Sequence, residues 1–273
     1  MGLLTGKNAL VSGVANPRSI AWGVAQAFHE HGARLAFACH ESTQRRVVKL
    51  AGEVGSGLVF PCDVAKDEDV TRMFEDVGKA FDGRLDVLVH SVAFARLDDM
   101  SGEFINVTRE GWRLALDISA YSLVAMARAA RPLMNAAGGG SIMTLTFAGS
   151  GRVAPRYNIM GVAKAALEAA VRYLAYDLGP DGIRVNALSP GPIPTVSGMV
   201  TERFDESLQN VMSHSPLLRA ITARDVGNAA VWYAADISSA VTGATVPIDG
   251  GMGILLAGGG IHPRAVKPGS EAR

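Results

Sequence analysis

The sequence is poor in cysteine. Cys39 and Cys62 are the two it has, and they make no CxxC pair. That excludes a disulfide-built scaffold and a thiolate zinc site, and it fits a reducing compartment. Both stand in apolar, strand-like runs, which points to buried, inert thiols. A charge bias is lacking too. Lys and Arg number 26, as do Asp and Glu, so there is no electrostatic reason for a nucleic-acid or membrane partner. No uncharged apolar run is long enough to cross a bilayer. The opening MGLLTGKNALVSG has no basic stretch followed by an unbroken apolar one, so no signal peptide is read and a cytoplasmic protein is expected. The six histidines show no ligand spacing, and His29 and His31 would face apart on a helix. No metal is expected.

What is present is an alternation. Of 273 residues, 48% are apolar, enough for a sizeable core. Short apolar, β-branched runs at 8–13, 34–39, 57–64, 85–93, 140–147, 183–191 and 244–251 read as strands. Between them, 19–32, 43–55, 66–81, 108–137 and 157–178 carry helical spacing, with 108–137 read as one long helix. The pattern predicts an α/β fold: a doubly wound, Rossmann-like, seven-stranded parallel sheet with helices on both faces. No linker or repeat interrupts it, so 1–257 is read as one dinucleotide-binding catalytic domain. Residues 192–223 break the rhythm after a strand end and are read as a substrate lid. The Gly- and Pro-rich 258–273 reads as a flexible tail.

Ligands of such sheets bind beyond the strand C-termini. In LVSGVANPRSIAWGVA, Gly13 allows a tight turn. Ser19 and Ile20 open a helix whose free N–H groups favour a phosphate. The spacing is not GxGxxG, and a plain strand–helix turn capped by Ser19 is the alternative. Asp63 and Val64 follow the third strand, where a carboxylate suits an adenine amino group; a plain helix cap is again the alternative. Ser91, Val92 and Ala93 follow the fourth, where small side chains let backbone approach a cofactor. After the second strand come His40 and Glu41. Glu41 would repel a 2′-phosphate, which favours NADH, with NADPH possible.

RYNIMGVAKA places Tyr157 and Lys164 seven residues apart, close to two helical turns, so both lie on one face roughly 10 Å apart along the axis. Singly, each is more often a packing tyrosine and a solvated lysine. Together with GVANPRSIA, CDVA, VHSVAFA, VTREGW, DISAYS, YNIMGVAKAALEA, IRVNALSPGPI, DVGNAA and DGG, the pair carries a resemblance. The chain resembles the short-chain dehydrogenase/reductase superfamily and, within it, the bacterial NADH-dependent enoyl-acyl-carrier-protein reductases, from about Leu3 to Gly253. Carbonyl-reducing members have YxxxK instead.

The resemblance implies reduction of a trans-2-enoyl thioester, on acyl-carrier protein or CoA, in fatty-acid or related specialised biosynthesis. A carbonyl reductase or an idle nucleotide-binding homologue is the alternative. Tyr157 and Lys164 are the candidate catalytic residues. Gly13, Ser19, Ile20, His40, Asp63, Val64, Ser91, Val92, Ala93, Lys164, Ile193 and Thr195 are the candidate cofactor contacts. Ala95, Phe147, Tyr157, Met160, Val196, Met199 and Phe204 are the candidate substrate contacts. Phe147 stands where many members have a second tyrosine and others phenylalanine, so it reads as a pocket wall, with Thr146 a minor polar contact. Ala93 replaces the usual glycine and should narrow the pocket. The alanine-rich AKAALEAA and the resemblance together imply a homo-oligomer, a dimer or a tetramer, built on 108–137 and 157–178.

Overall fold

The structure, a computed structural model, describes residues 2–195, 204–256 and 264, with 204–207 as backbone alone. Seven parallel strands form one sheet: β1 Asn8–Ser12, β2 Arg34–Cys39, β3 Val59–Pro61, β4 Val87–His90, β5 Gly140–Leu145, β6 Ile183–Pro190 and β7 Thr245–Ile248. Their order is β3-β2-β1-β4-β5-β6-β7, and each neighbouring pair is parallel. The chain winds outward from β1 in one direction and from β4 in the other. The crevice above the β1–β4 boundary is therefore the natural ligand site.

Alternate strand residues fill two cores. Val11, Phe37, Val89 and Leu188 face one side and pack under α1 (Ile20–Glu30), α2 (Gln44–Glu53) and α9 (Ala223–Ala234). Leu10, Ala36, Leu88 and Ile142 face the other and pack under α3 (Asp67–Ala80), α6 (Ser122–Ala136) and α7 (Asn158–Leu178). Both faces being covered is why the strands read as unbroken apolar runs. The two cysteines fall on opposite faces, each 5% exposed. Burial raises both thiols, Cys62 to about 12.

Four elements depart from the sequence reading. The helix expected over 108–137 is α5 (Arg109–Leu116), a π-helical turn at Asp117–Tyr121, then α6. The extra residue of a π turn hardly disturbs an apolar stripe, so periodicity did not reveal it. Two helices are absent from the sequence reading: α8 (Phe204–His214), inside the stretch read as a lid, and α9. The signal for α9 was present. Thr222 and Asp225 form a reciprocal capping box, each side chain accepting from the other's backbone N–H. A short α4 (Leu97–Met100) also follows β4. Strands end earlier than expected, and the residues beyond them are the turns that build the site.

Candidate functional site

The connection from β5 to α7 holds the catalytic candidates. Tyr157 is the residue just before the first turn of α7, between two left-handed residues, Arg156 at φ 64° and Asn158 at φ 31°. Such backbone is strained for a non-glycine residue and needs external ties. One is visible: Asn158 Nδ2 donates to the carbonyls of Ser101 and Gly102, each at 3.2 Å. The Tyr157 ring stands edge-on to Phe147, centroids 5.0 Å apart at 67°. Burial pushes the phenol pKa up, so the O–H stays a donor.

Lys164 is 6% exposed. Its Nζ donates to the Leu145 carbonyl at 2.7 Å, which leaves two of three ammonium donors for a ligand. Burial pulls its pKa down to about 8, with the Glu168 charge opposing. Lys164, expected singly to be a solvated helix lysine, is instead a buried cation.

Two participants escaped the sequence reading. Glu168 Oε1 accepts from Thr146 Oγ1 and Ser150 Oγ, both at 2.6 Å. Thr146, read as a minor substrate contact, spends its hydroxyl inward. His90 is fully buried at the end of β4, 2.8 Å from both Thr144 Oγ1 and Ser122 Oγ. Ser122 Oγ donates to the Ile118 carbonyl at 2.6 Å. It must therefore accept from His90 Nε2–H, and Nδ1 accepts from Thr144. Burial and the nearby Lys164 charge lower the imidazole to about 3, so it is neutral. His90 thus ties the sheet to the π turn, whose Ser119 hydroxyl donates to the Phe94 carbonyl and accepts from its N–H. A histidine in an apolar strand gives no sequence sign of such a bridge.

The cofactor candidates gather along the same edge. Gly13 sits at φ 83°, and a Cβ there would come within 1.8 Å of the Ser91 carbonyl. The Ser12 hydroxyl donates to the Val89 carbonyl at 2.9 Å, locking the same junction. Ser19 is the residue before α1, but it caps no helix N–H. Its hydroxyl instead accepts from Ala15 and Asn16 N–H, each at 3.1 Å, and so shapes the loop. The N–H groups of Ile20 and Ala21 have no acceptor among the described residues, and they point the helix's positive end at the crevice.

The remaining candidates divide. Asp63 accepts from Ala65 N–H at 3.1 Å and pairs with Lys66 at 3.4 Å, so its carboxylate also serves the turn. His40 Nδ1 lies 2.8 Å from Ser42 Oγ and accepts from Ser42 N–H. Ser91 and Val92 are half-buried and Ala93 exposed. Val64 packs against the core under α3, and Ile193 lies in the core beside Leu188 and Ile221. For Ile193, only backbone is left to meet a ligand, and Thr195 N–H donates to its carbonyl at 2.7 Å. Ala95 and Phe147 are half-buried, and Met160 is 5% exposed. Val196, Met199 and the Phe204 side chain lie outside the described residues. Among those described, no three His, Cys, Asp or Glu side chains are grouped to hold a metal.

Comparison with known proteins points the same way. A family model described as "Enoyl-(Acyl carrier protein) reductase" matches residues 13–253. The enoyl-acyl-carrier-protein reductase (NADH) of Salmonella typhimurium is 45% identical over 93% of this chain and 97% of its own. That of Bacillus cereus is 47% identical over 93% and 100%. A crystal structure of the Bacillus cereus enoyl-acyl carrier protein reductase with NADP+ and indole naphthyridinone superimposes at TM-score 0.90. It is 46% identical and covers 93% of this chain and 99% of that one. A reductase from Anaplasma phagocytophilum in complex with NAD gives TM-score 0.89 at 41% identity, covering 93% and 96%.

Proposed function

The chain belongs to the enoyl-acyl-carrier-protein reductase family of the short-chain dehydrogenase/reductase superfamily, and from that premise we propose how its residues share the work. It is an NADH-dependent oxidoreductase that reduces an enoyl thioester of fatty-acid biosynthesis. NADH, when bound, supplies the hydride that adds to Cβ of the enoyl group. Negative charge then builds on the thioester oxygen. Tyr157 O–H is the donor aimed at that oxygen, and it stabilises the transition state more than the ground state.

Lys164 holds the ribose hydroxyls with its two free donors, and its charge favours the developing anion. Gly13, the loop folded by Ser19 and the open N–H groups of Ile20 and Ala21 fit the pyrophosphate. Asp63 and Val64 stand at the adenine end, with His40 at its ribose. Ser91, Val92 and Ala93, with the backbone of Ile193 and Thr195, line the nicotinamide end. Ala95, Phe147 and Met160 wall the acyl pocket.

The observation that carries this assignment is the buried ammonium of Lys164, anchored by one hydrogen bond, seven residues after a phenol whose proton burial retains. The test follows NADH consumption with crotonyl-CoA and with a medium-chain trans-2-enoyl thioester on acyl-carrier protein or CoA, for wild type and Tyr157→Phe. A sharp loss in the variant supports the reading. Unchanged turnover would place the donor elsewhere.

The protein acts on acyl-carrier-protein substrates as a homo-oligomer, a tetramer in this reading, in the cytoplasm. Tyr173 and Tyr176 on α7 are 75% and 83% exposed, and Trp112 and Tyr121 on the α5–α6 rod are 41% and 40% exposed. Large aromatics standing in water along the two alanine-rich helices support a subunit contact there. Among the described residues no helix is long and apolar enough to cross a membrane. Sedimentation at working concentration checks the assembly, and a monomer would refute it.

A further inference from the structure

Glu168 stands four residues after Lys164 on α7, half-buried, and the sequence offers it as one more charge on an alanine-rich helix. Its single Oε1 accepts from two hydroxyls, those of Thr146 and Ser150, at 2.6 Å each. Those residues bracket the turn that carries Phe147, whose ring meets Tyr157. Thr146 is 4% exposed, so its hydroxyl has no water to turn to if the carboxylate is lost. The same turn touches α7 at a second place. A Cβ on Gly161 would lie 2.9 Å from the Gly149 carbonyl, so turn and helix meet with no side chain between them.

We propose that Glu168 is a positioning residue of the reduction, clamping the 146–150 turn to α7 and so setting where Phe147 stands beside Tyr157. The proposal rests on Tyr157 being the donor to the thioester oxygen. Hydroxyl bonds to a carboxylate are short and charge-assisted, and two on one oxygen fix the turn against both slide and rotation. A displacement of about 1 Å at such a site costs on the order of 10²-fold in rate. Because one oxygen serves both donors, an amide oxygen can substitute for it and a methyl group cannot.

Wild type, Glu168→Gln, Glu168→Ala and the double variant Thr146→Val/Ser150→Ala are compared for kcat, enoyl-thioester KM and NADH dissociation constant, with Tyr157→Phe alongside. Glu168→Ala lowers kcat about tenfold and raises enoyl KM, while NADH affinity moves less than about threefold. Glu168→Gln recovers most of that loss. The double variant reproduces it, and adding Glu168→Ala to the double costs little more, as expected of groups acting through one contact. A folded Glu168→Ala enzyme with wild-type kcat and KM overturns the proposal. So does a Gln variant as impaired as the Ala variant, or an unimpaired double variant. If Glu168→Ala fails to fold, the double variant, which keeps Glu168, decides. Full turnover by Tyr157→Phe would overturn the donor reading, while the coupling of Glu168 to the two hydroxyls is still read from the combined variants.

Discussion

The turns after β1, β2 and β3 differ in kind from the connection between β5 and α7. In the first region polar side chains fold their own loops. Ser19 accepts from Ala15 and Asn16, His40 from Ser42, and Asp63 from Ala65. What they offer a ligand is backbone shape and open N–H groups. In the second region the side chains themselves are the offer. Lys164 is buried and Tyr157 and Glu168 are half-buried beside it in the chain, so each charge and each proton position counts for more than on an open surface. One cleft thus has an end that tolerates exchange of side chains but not of backbone, and an end with the opposite tolerance.

The strongest way to break that comparison is Tyr157→Phe, which removes one oxygen and leaves the shape. It should lower kcat by about 10²-fold or more with NADH affinity kept, read by steady-state kinetics and cofactor titration. Gly13→Ala is the counterpart at the other end. Its added Cβ would lie 1.8 Å from the Ser91 carbonyl, at φ 83°. NADH affinity should fall by more than about tenfold, with loss of about 2 kcal/mol or more of stability. An enzyme that binds NADH normally with this change would remove the claim that backbone shape governs that end.

The buried ammonium adds a pH signature. Lys164 acts protonated and its pKa is lowered to about 8 by burial. kcat/KM should therefore be full below about pH 8 and fall up to tenfold per unit above it. The sign for stability is the reverse. Between about 8 in the folded chain and its ordinary value of 10.5, the unfolded chain holds the extra proton, so this lysine makes the fold more stable as pH rises. Loss of rate in that window, with Tm maintained, separates titration from unfolding.

Smaller effects sharpen the contrast. Phe147→Tyr adds a hydroxyl to an edge-on ring pair worth about 1 kcal/mol, so kcat should change by no more than about fivefold. A larger loss would mean that the apolar wall is itself required. Thr222→Ala, at the capping box of α9, should cost about 1 kcal/mol. That lowers Tm by roughly 2–4 °C and leaves kcat unchanged.

Much of the fold was legible because the sheet is covered on both faces. The central strands are then mostly apolar on both faces, as in ALV and LAFAC, and the helices between them amphipathic. Gly13 and the Tyr157–Lys164 pair could be proposed from the sequence because what singles them out is local: a left-handed turn, and a seven-residue spacing. The reading failed where function depends on what a residue meets from elsewhere in the chain. The Ile193 side chain belongs to the core. The hydroxyl of Thr146 looked free and is spent on Glu168, twenty-two residues away. His90 looked like a strand residue and bridges β5 to a π turn that no periodicity marked.

By itself the sequence determined the α/β winding and the place of the crevice, and it supplied the proposed Tyr157–Lys164 pair, because hydrophobic period and short-range spacing are properties of adjacent residues. Only the tertiary structure decided that Lys164 is a buried cation, that His90 is neutral and that Glu168 holds the Phe147 turn. Protonation and hydrogen-bond partnership depend on burial and on groups distant in the chain, and those exist only once the chain has folded.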